Sequence, residues 1–237
     1  MIAGRAYSAP MDQTHDADLR IAHPPTTLRE LAVDRLRQAI ISGRFPGGVR
    51  LVERTLCDQL GVSRSVVREA IRYLEAEGLV ETLPRSGPVV AKLDWARAEQ
   101  IYNIRRLLES DAAAACARLA DDAVKARLTA ALSQLEAAFT EATPPQLYDA
   151  TTRFYEVIFS AAGHDIAWEI VQRLNSRISR LRALTLATTD RRTSGPAHMA
   201  RICAAICAGD PEAAALAVRE HLTDASEIAR TLLEREG

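Results

Sequence analysis

From Thr27 onward, apolar residues return every three or four positions along most of the chain, the spacing of helices that bury one face. Leu28, Leu31, Ala32, Leu36, Ala39 and Ile40 make the first such stripe, with Thr27 placed to cap it and Glu30 three residues later. Ser42-Gly43 and Phe45-Pro46-Gly47-Gly48 stop that helix. A short second helix is predicted from about Glu53 to Leu60, closed by Gly61. A third runs from a Ser63 cap to about Glu77, with Val66, Val67, Ala70, Ile71 and Leu74 inward. After Gly78 the period falls to two. Leu79–Leu83 and Pro88–Leu93 read as strands joined through Pro84-Arg85-Ser86-Gly87.

From Trp95 to Arg235 the helical period resumes. Breaks are predicted near Asp121-Asp122, Thr143-Pro144-Pro145, Gly163-His164-Asp165, Thr193-Ser194-Gly195-Pro196 and Gly209-Asp210-Pro211. Six or seven helices in that space make an antiparallel bundle. The expected fold class is therefore mostly α. A polar, aperiodic arm over residues 1–25 precedes a three-helix-plus-hairpin domain over 26–93 and an all-α domain over 94–237.

Composition supports this picture: among 237 residues only 11 are Gly and 10 are Pro, and aromatics are 5%. No apolar run approaches the roughly 18 residues that span a bilayer. The first 24 residues lack the apolar stretch of a secretory signal, so a cytoplasmic chain without a membrane partner is expected. Cys57, Cys116, Cys203 and Cys207 lie inside apolar-periodic segments and read as reduced core thiols, the last two sharing a helix face. Net charge is −1, yet residues 25–93 carry eleven basic against eight acidic residues, and 94–237 carry seventeen against twenty. Except for Lys92 and Lys125, every basic residue is Arg, the side chain suited to forked recognition of phosphate and guanine.

Helix, tight turn, helix is the geometry that lays one helix in a DNA major groove. The first turn of the third helix presents Ser63, Arg64, Ser65 and Arg68 outward. Short hydroxyls allow close approach to phosphate, and Arg reaches phosphates or the O6/N7 edge of guanine. Arg54 opens the second helix beside this turn, and Arg85, Ser86 and Gly87 form a hairpin tip able to enter a neighbouring groove. Alone, Ser63-Arg64-Ser65 would merely cap a helix; the order of all three features points to DNA.

The run Arg50-Leu51-Val52-Glu53-Arg54, Leu60-Gly61-Val62-Ser63-Arg64-Ser65, Val67-Arg68-Glu69-Ala70-Ile71 and Glu77-Gly78-Leu79-Val80 resembles the winged helix of GntR-type bacterial transcription factors. The second half resembles the all-helical FCD effector domain of the FadR branch, through Arg105, Leu107-Leu108-Glu109, the Phe154 segment, Gly209-Asp210 and His221-Leu222. The resemblance implies a homodimer that binds an inverted repeat in double-stranded operator DNA. It also implies that a small metabolite, bound in the bundle, controls operator affinity. Many FCD domains hold a metal through an Asp and a His four apart on one helix and two later His. The matching positions here are Thr151, Tyr155, Met199 and His221, so only His221 is retained and neither metal nor cofactor is expected; His198 lies one residue from the third position.

A pocket is still expected from Arg105, Thr151, Tyr155, Met199 and His221. Arg105 on an apolar stripe needs an anionic partner, which could be Glu109 one turn on or an effector carboxylate. Two other classes remain open from sequence: a helical ligand-binding enzyme, for which no nucleophile motif or phosphate loop is present, and a protein-interaction module whose winged helix does not bind DNA.

Overall fold

The computed structural model describes residues 27–141 and 143–236; the arm assigned to residues 1–25 lies outside them. α1 (Leu28–Ile41) starts at a capping box, in which Thr27 Oγ1 accepts from the Glu30 amide and Glu30 Oε2 accepts from the Thr27 amide at 2.8 Å. Its buried face is Ala32, Val33, Leu36, Ile40 and Ile41, the side packed on the third helix. Leu28 and Leu31, expected inward, are exposed. α2 (Glu53–Leu60) ends at Gly61 with φ +67°, a left-handed conformation that favours glycine. α3 (Arg64–Ala76) buries Val67, Ala70, Ile71 and Leu74.

β1 (Val80–Leu83) and β2 (Gly87–Val90) pair antiparallel, Val80 opposite Val90 and Leu83 opposite Gly87. Arg50 bridges Val89 from the other side, with the Leu51 amide donating to Pro88 O and the Val90 amide to Val49 O. This third edge gave no alternating pattern in the sequence because it spans too few residues. Leu36, Ile40, Leu51, Leu56, Leu74, Val80 and Val90 form one core beneath it.

Seven helices follow: α4 (Trp95–Leu119), α5 (Asp122–Glu141), α6 (Pro144–Ala162), α7 (Asp165–Arg177), α8 (Ser179–Ala187), α9 (Thr189–Ala208) and α10 (Pro211–Glu236). α4 packs along α10 and against α6 and α9, and α5 packs on α6 and α9. Leu128, Leu135, Leu147, Phe154, Ile158, Phe159, Ile202 and Leu222 fill the centre. The break expected at Thr193–Pro196 is absent, because α9 continues through Pro196. Gly195 instead serves packing: a Cβ there would lie 2.6 Å from the Phe139 ring. The chain breaks at Ile178 and at Thr188, whose Oγ1 accepts from the Arg191 amide and so caps α9.

The α7–α8 corner meets the winged helix. Arg177 crosses Gly78, where a Cβ would sit 2.7 Å from its Nε, and α8 packs on α1. Among the described residues no helix is long and apolar enough to cross a membrane.

Candidate DNA-binding face and effector cavity

The turn after Gly61 brings Ser63 to the N-cap of α3, its Oγ accepting from the Val66 amide at 3.5 Å and lying 2.9 Å from Ser65 Oγ. Ser63, Arg64 and Ser65 are exposed on this first turn, and Arg54 is exposed on α2. Arg68 is also exposed, with Nε 2.9 Å from both carboxylate oxygens of Glu53 on α2, an ion pair that holds its pKa up. Arg85 and Ser86 project from the hairpin tip. Arg85 has φ +69°, a strained value for a residue with a Cβ, and Gly87 at φ +74° has open space where a Cβ would be. A helix N-terminus with hydroxyls and Arg, flanked by a basic tip, can bind phosphates and reach base edges.

In the bundle, a cavity of about 20 Å³ lies among α4, α5, α6, α8, α9 and α10, on the order of one water. Arg105, Thr151, Met199 and His221, all singled out from sequence, line it; so do Tyr102, Phe139, Arg182, Thr185 and Arg191, which were not. Tyr155 is buried beside it against His221, with ring centroids 6.2 Å apart, and its hydroxyl makes no hydrogen bond. Burial holds that phenol well above its usual pKa.

Arg105 is answered within the protein: its Nε donates to Glu109 Oε1 at 2.7 Å, and both side chains are almost fully buried. The i,i+4 spacing on one helix face makes this pair. Arg191 is ion-paired with Asp224, while its Nη2 lies 2.7 Å from His221 Nδ1. A guanidinium can only donate, so that imidazole nitrogen accepts and the ring is neutral. Burial, then Arg191 and the other nearby cations, push the His221 pKa well below its ordinary value. Arg182 stacks over Tyr148, with its guanidinium carbon 4.6 Å from the ring centroid, and its pKa is lowered by burial and by Arg105.

These residues do not fit the metal site that the FCD resemblance suggests. The first and third positions offer Thr151, whose hydroxyl donates to Leu147 O at 2.9 Å, and the Met199 thioether. Arg191 already occupies a lone pair of His221. Among the described residues no group of three or more His, Cys, Asp or Glu is assembled to hold an ion. His198 does come close, its ring 5.8 Å from that of His221 and its Nε2 3.5 Å from Asp224 Oδ2. But Asp224 is held by Arg191, and His198 Nδ1 lies 2.7 Å from Arg201 Nη2, so the three do not assemble as an ion site. Cysteine chemistry is equally unsupported: burial pushes the Cys116 and Cys203 thiols up to about 11 and about 12, leaving little thiolate.

Arg182 and Arg191 went unrecognised because single arginines in helices are ordinarily surface residues. For Arg182 the sequence signal was its place between Leu181 and Ala183; Arg191, between Asp190 and Arg192, gave none.

Residues 28–90 match the model of bacterial regulatory proteins of the gntR family, and residues 100–224 match the FCD domain. The chain belongs to the GntR family of transcriptional regulators with an FCD domain, a family of regulators rather than enzymes. It is 32% identical to an uncharacterised HTH-type transcriptional regulator of Mycobacterium bovis, over 90% of this chain and 95% of that one. It is 25% identical to the HTH-type transcriptional repressor RspR of Escherichia coli K12, over 83% and 86% of the two chains. Among solved structures, E. coli McbR/YncC superposes with a TM-score of 0.70 at 22% identity, covering 89% of this chain and 98% of that one. A GntR regulator of Rhodococcus sp. RHA1 gives 0.72 at 23% identity, over 85% and 96%. At those identities the likeness shows the fold.

Proposed function

We propose that this regulator acts in the cytoplasm as a homodimer on an inverted repeat in duplex DNA, and that a small organic acid in the bundle cavity sets its operator affinity. The observation that supports this reading is a buried, charged cavity in a chain whose other domain exposes Ser63, Arg64 and Ser65 at a helix N-terminus. Ser63, Arg64 and Ser65 contact the groove, Glu53 fixes Arg68 beside them, and Arg54 holds the flanking backbone. Arg85, Ser86 and Gly87 enter the adjacent groove. Arg105, Thr151, Tyr155, Met199 and His221 belong to the effector site or its wall.

α8 joins the two sites. It carries Arg182 and Thr185 on the cavity side and packs on α1 of the winged helix. A ligand that moves Arg182 therefore acts on the element touching the DNA-binding domain.

For dimerisation, the favoured surface is the apolar patch of Ile104 and Leu107 on α4 with Ile166 and Ile170 on α7, all exposed. α4 and α7 pack together, and His164 before α7 lies 3.7 Å from Asp111, one turn beyond Leu107.

Selection of duplex DNA from a random pool, followed by affinity measurement over a salt series and with a metabolite library, tests the reading. Arg64→Ala is expected to weaken the selected site by about 1–3 kcal/mol. Failure to enrich any duplex, or binding indifferent to salt, overturns the DNA assignment.

A further inference from the structure

The cavity wall holds three buried guanidiniums, Arg105, Arg182 and Arg191, at 2%, 6% and 2% exposure. Two carboxylates face them: Glu109 pairs with Arg105, and Asp224 pairs with Arg191. His221 adds no charge, since it accepts from Arg191. Arg182 makes no ion pair among the described residues; its closest partner is the Tyr148 face. Its Nη1 and the Nε of Arg191 are buried donors without a hydrogen bond. Buried polar groups in folded proteins are nearly always paired, and charged ones above all. The wall therefore carries one more positive than negative charge, and two buried nitrogens, Arg182 Nη1 and Arg191 Nε, without a hydrogen-bond partner among the described residues.

We infer that Arg182 and Arg191, rather than Arg105, anchor the effector, and that they take a single carboxylate group bearing one negative charge. This rests on the reading of the cavity as the effector site. Arg105 has its counter-ion in Glu109 and nothing to offer without losing it. One carboxylate matches the excess of one charge, and its two oxygens accept from two separate guanidiniums. Arg191 is braced for this by Asp224 and His221 on α10, so the anchor is preorganised on one side and adjustable on the other, where Arg182 rests on Tyr148. Because the cavity is about 20 Å³, entry of anything larger than a water must move its wall, and Arg182, which has no ion pair among the described residues to hold it, is the anchor free to move.

The test uses the full chain and follows its melting temperature against sodium lactate, lactamide, inorganic phosphate and sodium chloride at matched ionic strength. Lactate is expected to give a saturable rise that lactamide and chloride do not, with phosphate weaker because its second charge goes unanswered. Arg182→Met and Arg191→Lys are expected to weaken lactate binding roughly 10- to 100-fold, the loss of a charged hydrogen bond. Ligand-free Arg182→Met is expected to melt no lower than the wild type, since a charge kept for a ligand gives the empty protein nothing. A purely structural Arg182 would lower that temperature, and this result overturns the inference.

Equal stabilisation by lactate and lactamide overturns the charged anchor but leaves the cavity as a ligand site. Loss of the response in Arg105→Met alone moves the anchor to Arg105, again sparing the cavity reading. Silence toward every probe overturns the inference; the cavity reading falls with it only if the metabolite library also leaves DNA affinity unchanged.

Discussion

Three buried cations against two carboxylates make a sharp asymmetry for mutation. Glu109→Leu removes the sole counter-ion of Arg105, whose Nε lies 2.7 Å away, in a site where both side chains are no more than 3% exposed. Three guanidiniums would then face only Asp224, whose side chain is 31% exposed. Breaking a buried pair by deleting one partner costs about 3–5 kcal/mol. Arg105→Met deletes the cation instead. Glu109 then remains near Arg182, which it already attracts, and Arg182 loses the repulsion of Arg105. The expected cost is about half that of Glu109→Leu, because the surviving charge inherits a partner. The double replacement, Met and Leu at i,i+4, should cost less than Glu109→Leu alone.

Of the two tryptophans, Trp168 packs on Phe159 in the bundle core while Trp95 lines a cavity shared with the winged helix, so fluorescence of a Trp95→Phe background during urea or thermal unfolding reads the bundle. At about 2–4 °C per kcal/mol for a chain of this size, Glu109→Leu should lower the midpoint by roughly 6–20 °C. Arg105→Met destabilising as much as Glu109→Leu, or more, would refute the charge count on which the cavity's anion preference stands.

Gly195→Ala should destabilise by about 1–3 kcal/mol despite the better helix propensity of Ala, because its methyl meets the Phe139 ring; Phe139→Leu should recover most of the loss in chemical denaturation. His221 is neutral and strongly depressed in the folded state, so the unfolded chain binds a proton that the folded one refuses. Stability is therefore complete above the unfolded value of about 6.5 and is lost as pH falls below it. His198 shifts the same way, so the test is that His221→Gln flattens, without abolishing, the slope of midpoint against pH below 6.5. Leu107→Glu is expected to convert the proposed dimer to monomer in light scattering while leaving the helical signal unchanged; a dimer that persists would move the interface off α4 and α7.

Local chemistry was written plainly enough to read. Thr27 with Glu30, Gly61 before Ser63, and Gly163 and Gly209 at helix ends act through bonds within a few residues, so their effect survives in any context. The order of three helices and a hairpin, and the exposed residues on the first turn of α3, follow from the same short-range rules. The Thr193–Pro196 segment shows where those rules stop. Its Gly and Pro signal a break, yet burial of α9 against Phe139 and the cap at Thr188 keep one helix running through it. The stripe on α1 turned for a related reason: which face is buried depends on where α3 lies.

The cavity was half legible. Thr151, Met199 and His221 could be placed by likeness to a family, and Glu109 could be offered to Arg105 by helix spacing alone. Whether Arg105 was spoken for, and that Arg182 and Arg191 were its companions, depended on helices separated by many tens of residues coming together. Sequence by itself determined most of the elements, their caps and the exposed first turn of α3, because those depend on interactions between near neighbours. Only the tertiary structure decided which charges inside the bundle are paired and which are left over, because charge balance in a buried site is a sum over side chains that the chain brings together from afar.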